Sequence, residues 1–237
     1  MSPEAAHSPY VGANSPAYHE GKRAVPAAAV PWIVRSRARL FAAQIGPNAA
    51  VLEYGCGFGW NLAGLSCRRR VGHDVALQLR PAVEDAGIEF VPDTAALPEG
   101  IFDAGILHHS LEHVGAPGAV LLEMKRLLRR GGRLLIAVPW ESGRRYRRFN
   151  PAEPNHHLYS WNVQTLGALV TVNGFHVEHA GLRPYGYDRR AALLAVQFGL
   201  GERGFRGIRA VLRLLKPLRE VAVVASNGFS RKVGVAS

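Results

Sequence analysis

Three glycines at alternating positions follow a short apolar segment early in the chain. The segment, residues 49–54, carries the acidic Glu53, and Gly55, Gly57 and Gly59 come directly after it. Glycine lets backbone N–H groups approach a ligand closely, and the first turn of a helix offers further N–H donors. The pattern therefore predicts a ligand-binding turn between a strand and a helix. We interpret Cys56 as a small turn residue rather than a nucleophile, because the sequence pairs it with no base.

A second group of reactive side chains lies further along the chain. Its members are His108, His109, Glu112 and His113 after residues 102–107, and His156 and His157 in a polar loop. Histidine titrates near neutral pH and can accept the proton of a hydroxyl group. We therefore take His109, Glu112, His113 and His157 as candidate catalytic residues. The alternative is that this His-x-x-Glu-His segment caps a loop and orients the neighbouring helix and ligand.

Strand-like and helix-like segments alternate from residue 32 onward. The apolar patterns predict strands at residues 49–54, 71–76, 88–91, 102–107, 133–138, 175–179 and 220–225. They predict helices at residues 32–45, 60–66, 81–85, 116–129 and 162–172, with two more at 189–200 and 205–215. Arg129, Arg130 and Gly131 indicate a cationic, glycine-terminated end for the helix at 116–129.

This alternation predicts an α/β fold. Its core is a doubly wound, mostly parallel sheet of seven strands with helices on both faces and right-handed crossovers. The nearly all-apolar segment 133–138 is typical of a central strand buried on both sides. Ligands of such sheets bind at the carboxyl ends of the strands, so the glycine turn and the histidines should share one edge.

Taken in order, these features resemble the class I S-adenosylmethionine-dependent methyltransferases. Their first motif is a strand with an acidic residue followed by G-x-G-x-G, as in residues 51–59. The similarity continues through Asp74, Asp93 and Phe102-Asp103 to residues 126–139, and covers about residues 46–180. It is greatest with the small-molecule and ubiquinone-biosynthesis O- or C-methyltransferases. The resemblance implies a Rossmann-like sheet with an antiparallel last strand and S-adenosylmethionine as the cofactor.

The resemblance also implies roles for individual residues. Asp74, nineteen residues after Gly55, matches the position whose carboxylate pairs with the ribose hydroxyls. Asp93 matches the residue that accepts a hydrogen bond from the adenine amine. The full set implied to bind the cofactor is Glu53, Gly55, Cys56, Gly57, Gly59, Asp74, Asp93, Thr94 and His108.

The resemblance raises one alternative to a protein without metal. His109, Glu112 and His113 have the i, i+3, i+4 spacing that places three side chains on one face of a helical turn. The segment resembles the metal-binding stretch of ubiquinone-biosynthesis O-methyltransferases and small-RNA 2′-O-methyltransferases, which carry Glu at the position of His109. With His156 or His157, such a set would suit Mn, Fe or Zn better than Mg.

The charge of the chain leaves a second kind of substrate open. There are 29 basic and 18 acidic residues, a formal net charge of +11, with the densest basic cluster at residues 144–148. Such clusters can bind the phosphates of RNA. Only four of the basic residues are Lys, and this arginine bias also fits genomic base composition. Two cysteines can supply neither a disulfide framework nor a structural zinc site.

The sequence suggests one methyltransferase domain with three added parts. We predict a mobile arm at residues 1–30 and a domain at 31–237, in which 46–140 form the cofactor-binding core. Residues 141–161 form a loop rich in Arg and His, and 181–219 an insertion covering the substrate. The insertion alternates arginines with apolar residues, so contact with a membrane surface is an alternative to a solvated cover. No signal peptide or run of ~20 apolar residues is present, which predicts a cytoplasmic protein.

The resulting prediction is methyl transfer by in-line displacement to an O, N or C nucleophile of a small molecule. An RNA methyltransferase is the first alternative, because of the charge. A non-catalytic or NAD-using protein of the same fold is the second. Trp60 counts against NAD, since it stands where the dinucleotide-binding motif has its third small residue.

Overall fold

Seven strands form a single sheet in the structure, a computed structural model that describes residues 24–143, 147–151 and 155–228. The strands are β1 (Ala50–Tyr54), β2 (Arg69–His73), β3 (Glu89–Val91), β4 (Phe102–His108), β5 (Leu128–Pro139), β6 (His176–Tyr185) and β7 (Leu218–Ser226). Their order is β3-β2-β1-β4-β5-β7-β6. Strands β1 to β5 pair in parallel, and β7 runs antiparallel to both β5 and β6. The predicted seven-stranded, mostly parallel sheet with an antiparallel last strand is confirmed.

Seven α-helices of the described residues surround this sheet. They are α1 (Val30–Ala38), α2 (Trp60–Ala63), α3 (Arg80–Asp85), α4 (Pro117–Leu127), α5 (Val163–Val172), α6 (Asp188–Gln197) and α7 (Gly201–Leu215). Asn162 caps α5 by accepting a hydrogen bond from the backbone N–H of Thr165 at 2.8 Å. None of these helices combines the length and the apolar character that a membrane span requires.

Alternate residues of the central strands enter two hydrophobic cores, one on each face of the sheet. In β1, Ala50 and Leu52 join the core beneath α4 and α5, whereas Val51 joins the core beneath α1, α2 and α3. This division follows from the two-residue period of a strand. Both faces are therefore buried, and the apolar run of β5 is nine-tenths or more buried from Leu134 to Val138.

The chain order places a crevice between β1 and β4. From β1 the chain proceeds outward to β2 and β3, then returns to form β4 on the other side of β1. The connections leaving β1 and β4 therefore diverge, which opens a crevice at the carboxyl ends of these strands. The glycine turn after β1 and the histidines after β4 meet at this crevice.

Two helices end earlier than predicted, α1 at Ala38 instead of residue 45 and α4 at Leu127 instead of residue 129. In α4, Leu128 already pairs with Phe102 as the first residue of β5. Asn227 accounts for the difference, because its side-chain amide donates to the carbonyls of Lys125 and Leu128 at 3.0 and 2.7 Å. Gly131, with φ of 74°, instead allows an irregularity at the start of β5.

The packed part of the chain begins before the predicted boundary at residue 31. Ala29 is fully buried in a third core with Ile33 of α1 and with Ala192 and Phe205 of the helical pair α6 and α7. The remainder of the predicted arm, residues 1–23, lies outside the described residues. The insertion between β6 and β7 forms the two expected helices and packs against α1. It begins after Tyr185 rather than at the predicted residue 181, because β6 continues beyond residue 179.

Candidate functional site

The turn between β1 and α2 is held open by its three glycines. Gly55, Gly57 and Gly59 have φ angles of 78°, 55° and 68°, in the left-handed region that favours glycine. A Cβ at Gly55 would stand 2.6 Å from Ser110, whereas a Cβ at Gly57 would meet no atom within 4 Å. Gly57 therefore borders open space at the crevice. This is the position at which a bound ligand can approach the backbone.

Asp74 fixes the turn from the end of β2. Its two carboxylate oxygens accept hydrogen bonds from the backbone N–H groups of Gly57 at 2.8 Å and Ala76 at 2.9 Å. A carboxylate has about four acceptor positions, so each oxygen retains capacity for a ligand hydroxyl. The structure thus places Asp74 beside the glycine turn, as the resemblance implies. Its role toward a ribose stays a prediction.

Asp93 and Thr94 lie beyond β3 in a short helical turn. Asp93 is exposed and caps this turn by accepting from the N–H of Ala95 at 2.9 Å. Arg126 of α4 donates to the carbonyls of Thr94 and Leu97 at 3.0 and 2.8 Å, which anchors the segment. One carboxylate oxygen of Asp93 is thereby used locally, and the other is left for a ligand.

A chain of polar side chains runs beneath the crevice. The amide of Asn61 donates to the buried carboxyl of Glu53 and to Nδ1 of His108, the latter at 3.0 Å. Burial raises the pKa of Glu53 to about 8, so this carboxyl is mainly protonated at neutral pH. Burial, with a smaller effect from His109, lowers the pKa of His108 to about 4, so this imidazole is neutral.

Three polar atoms around this chain fit a polar ligand. Glu53 Oε2, Asn61 Oδ1 and Ser110 Oγ are buried and have no hydrogen-bond partner among the described residues. Buried polar groups are normally satisfied, so partnerless atoms at a crevice mark the place where a ligand is expected to bind. Arg37 of α1 adds positive charge here, since its guanidinium lies over Trp60 at 5.3 Å, directly after the turn. Asn61, Ser110 and Arg37 were not identified from the sequence.

His109 turns away from the segment that follows it. Its backbone is left-handed, with φ of 53°, and its Nε2 lies 2.8 Å from Oε2 of Glu220, at the start of β7. Glu220 is fully buried and also accepts from Nε of Arg183. Burial alone would raise the pKa of Glu220, but hydrogen bonds from His108 and His109 lower it well below the usual range. An ionised Glu220 accepts the Nε2 proton of His109, which leaves Nδ1 as the acceptor on that ring.

The metal set of His109, Glu112 and His113, raised as an alternative from the sequence, is not formed. Residues Leu111–His113 make a 3₁₀ turn that begins after the left-handed His109, so the three side chains do not share a helix face. Glu112 and His113 instead meet His157, with ligand atoms all within 4.8 Å of one another. Nδ1 of His157 lies 2.6 Å from Oε1 of Glu141.

This second cluster fits a three-ligand cation site, and it is separate from the glycine turn. His109 belongs to another group, with His108 and Glu220.

The remaining residues singled out from the sequence lie outside both clusters. His156 is exposed in a left-handed conformation, and burial raises the pKa of Cys56 well above the usual value, which leaves its thiol unreactive. Of the arginine cluster, Arg147 and Arg148 are exposed, and residues 144–146 lie outside the described part.

The fold is that of an α/β protein with a Rossmann-like sheet, and the crevice lies at the switch point of this sheet. Residues 28–180 match the family model of the methyltransferase domain. The chain therefore belongs to this methyltransferase family, as its sequence resemblance predicts. No curated protein sequence is significantly similar to it.

Solved structures share the fold at low sequence identity. The [4+2]-cyclase SpnF is 18% identical over 83% of this chain and 81% of its own, with a TM-score of 0.56. A putative methyltransferase from Bacillus halodurans is 15% identical over 82% and 99%, with a TM-score of 0.57. The 1,6-didemethyltoxoflavin-N1-methyltransferase of Burkholderia thailandensis, solved with 1,6-didemethyltoxoflavin and S-adenosylhomocysteine, is 22% identical over 89% and 84%, with a TM-score of 0.56.

Proposed function

We propose that the protein binds S-adenosylmethionine over the turn at residues 55–59 and transfers its methyl group to a small-molecule acceptor. The observation that carries this proposal is the open space at Gly57, bordered by Asp74 on one side and by partnerless polar atoms on the other. A methyltransferase of similar fold, solved with bound 1,6-didemethyltoxoflavin and S-adenosylhomocysteine, supports a small acceptor. When bound, the cofactor supplies an electrophilic methyl group on a sulfonium.

The residues around the turn suit the parts of this cofactor. Asp74 has acceptor capacity for two ribose hydroxyls, and Asp93 can accept from the adenine amine. Glu53 and Asn61 offer buried oxygens to an ammonium group, and Arg37 offers a cation to a carboxylate. An ammonium beside Glu53 favours the ionised carboxylate, so binding should release the proton that this residue holds at neutral pH.

We assign His109 the role of general base toward a protonated acceptor. The acceptor atom bonds to the methyl carbon as the carbon–sulfur bond breaks, and the acceptor proton passes to Nδ1 of His109. Glu220 holds the opposite ring nitrogen at 2.8 Å and stabilises the imidazolium that results. His109 is partly exposed and can meet an acceptor, whereas His108 is held neutral behind it by burial.

A titration with a matched control tests the cofactor site. We expect Gly57→Arg to abolish binding of S-adenosylhomocysteine in calorimetry, because the side chain would enter the crevice. Gly199→Arg is the control: Gly199 also has a left-handed φ, 63°, and open space for a Cβ, but it lies in the turn between α6 and α7. Equal binding by both variants would place the cofactor elsewhere. Binding of NADH without S-adenosylhomocysteine would replace the proposal with the NAD alternative.

A second proposal concerns Glu112, His113 and His157, which we assign to a divalent cation. One carboxylate and two imidazoles, with Glu141 behind His157, form a donor set typical of Zn, Mn or Fe. A cation there would act as a Lewis acid on an acceptor oxygen. We expect stoichiometric binding of Zn²⁺ or Mn²⁺ in calorimetry, and loss of that binding in His157→Ala but not in His176→Ala. Retention of the cation by His157→Ala would refute the assignment.

A further inference from the structure

The helix α7 carries one broad apolar side, only part of which packs on the protein. Phe205 is fully buried, and Ile208 is partly buried beside it against α1 and α6. Val211, Leu214 and Leu215 continue this side around the helix and are 54%, 82% and 75% exposed. Their spacing of three and four residues places them in one row along the helix. A core-facing helix needs only the apolar stripe that packs on the protein, so the exposed apolar residues require a different explanation.

The exposed row continues beyond the helix. Counting back from Val211 in steps of four and three gives Gly207, Gly204 and Leu200, so the row holds no charged residue over its length. Leu200 and Phe198 form the turn between α6 and α7, and they are 51% and 65% exposed. Together, Phe198, Leu200, Val211, Leu214 and Leu215 are called the hairpin surface. Eight of the seventeen large, exposed apolar residues in the described part of the chain fall within residues 193–218.

Unbalanced positive charge surrounds the hairpin surface. Residues 188–219 hold eight basic side chains and two acidic ones, Asp188 and Glu202. Both acids are in ion pairs, Asp188 with Arg209 at 2.9 Å and Glu202 with Arg35 at 2.5 Å. On the helix, Arg203 and Arg206 lie beside the apolar row. The insertion therefore presents aliphatic side chains and basic groups together, with no acidic side chain left unpaired.

We propose that the hairpin surface docks the protein on an anionic lipid surface. Phe198, Leu200, Leu214 and Leu215 would enter the boundary between headgroups and acyl chains, and the adjoining arginines would meet lipid phosphates. Both parts of the hairpin surface then have a partner, because acyl chains contact the apolar row and negatively charged headgroups contact the arginines. This inference is independent of the identity of the methyl acceptor.

A second copy of the chain or an RNA molecule would each use only part of the hairpin surface. A second copy docked through the same face by twofold symmetry would bring its arginines against these arginines, and like charges oppose that contact. RNA would pair with the arginines, but it binds through phosphates and stacked bases and would leave the aliphatic row in water. Lipid is therefore the partner that the combination favours.

Vesicle sedimentation with the full-length protein tests the proposal. We expect the protein to pellet with vesicles that contain phosphatidylglycerol and far less with phosphatidylcholine alone, and we expect salt to weaken the binding. Changing both Leu214 and Leu215 to Gln should lower the partition coefficient about tenfold or more, since two buried leucines are lost. The control is Val172→Gln on α5, which is 80% exposed and should bind as the wild type does.

Charge-reversal variants test the contribution of the arginines to lipid binding. Arg203→Glu with Arg206→Glu should reduce binding to anionic vesicles, whereas Arg130→Glu, at an exposed position far along the chain, should not. Thermal melts and S-adenosylhomocysteine titration establish that each variant is folded. The proposal would be overturned if the wild type bound equally well to vesicles with and without phosphatidylglycerol. It would also be overturned if the double leucine variant bound as strongly as the wild type. Two other results would overturn it as well: self-association of the protein that the double leucine variant abolishes, or RNA binding that depends on the arginines alone.

Discussion

Replacing Glu53 with Gln should make the protein progressively more stable than the wild type as pH rises. An unfolded glutamate loses its proton near its ordinary pKa of 4.5, but burial keeps Glu53 protonated in the folded protein up to about pH 8. Between these two pKa values unfolding releases a proton, so the wild type loses stability as pH increases. The glutamine of the variant does not titrate, and its side-chain oxygen can still accept the hydrogen bond from Asn61.

The size of the effect follows from the two pKa values. One pKa unit corresponds to about 1.4 kcal/mol, and the stability difference between variant and wild type should grow by about 3 kcal/mol between about pH 5.5 and about pH 8. Above that range the difference should level off, because both states are then ionised. His108, whose pKa is lowered to about 4, removes stability below about pH 6.5 in both proteins equally and cancels in the comparison.

Urea denaturation of both proteins at several pH values measures this difference. Glu123→Gln is the control, because a hydrogen bond from Arg126 lowers the pKa of Glu123, and its carboxylate is ionised in both states throughout this range. Its stability difference should therefore be independent of pH. Parallel stability curves for Glu53→Gln and wild type would show that burial does not raise the pKa of Glu53, and the reasoning would fail.

Three further substitutions test the site and its support. Glu220→Gln should lower kcat by ~10²–10⁴-fold with a smaller change in KM, because the amide no longer stabilises the protonated His109; steady-state kinetics that show an unchanged kcat would remove the pair from the mechanism. Gly59→Ala should destabilise the fold by ~1–3 kcal/mol in urea, since the residue is left-handed and its Cβ would stand 2.5 Å from Ile88. Arg126→Ala should weaken S-adenosylhomocysteine binding about tenfold in calorimetry by releasing the loop after β3; undiminished affinity would show that this loop does not bind the adenine.

The sequence predicts those parts of the molecule that depend on local pattern. Apolar runs such as residues 133–138 place the central strands, and the glycines at 55, 57 and 59 place the turn at the crevice. The family and the order of the elements are predicted correctly for the same reason, since both depend on segments that are continuous along the chain. The assignment of individual side chains to the cofactor stays a prediction.

The site features that sequence reasoning missed depend on contacts between distant segments. His109 and Glu220 are 111 residues apart, and they meet because β7 runs antiparallel beside β5, with Glu220 opposite Pro139. No local sequence pattern predicts which residues of β5 and β7 lie opposite each other. The end of α4 was predicted incorrectly for a similar reason, because Asn227 holds the carbonyls at that end from a hundred residues away. Spacing alone also suggested that His109 joins Glu112 and His113, although a left-handed backbone separates them.

The reversed direction of β7 ties the insertion to the reaction centre. Because this strand enters the sheet at the edge where the other strands finish, its first buried residue, Glu220, stands only five positions after the last residue of α7. Transplanting the insertion from a relative would therefore have to preserve the length of residues 216–219, or the carboxylate would be drawn away from its histidine. The insertion and the proposed base His109 are thus linked through four residues of connecting chain.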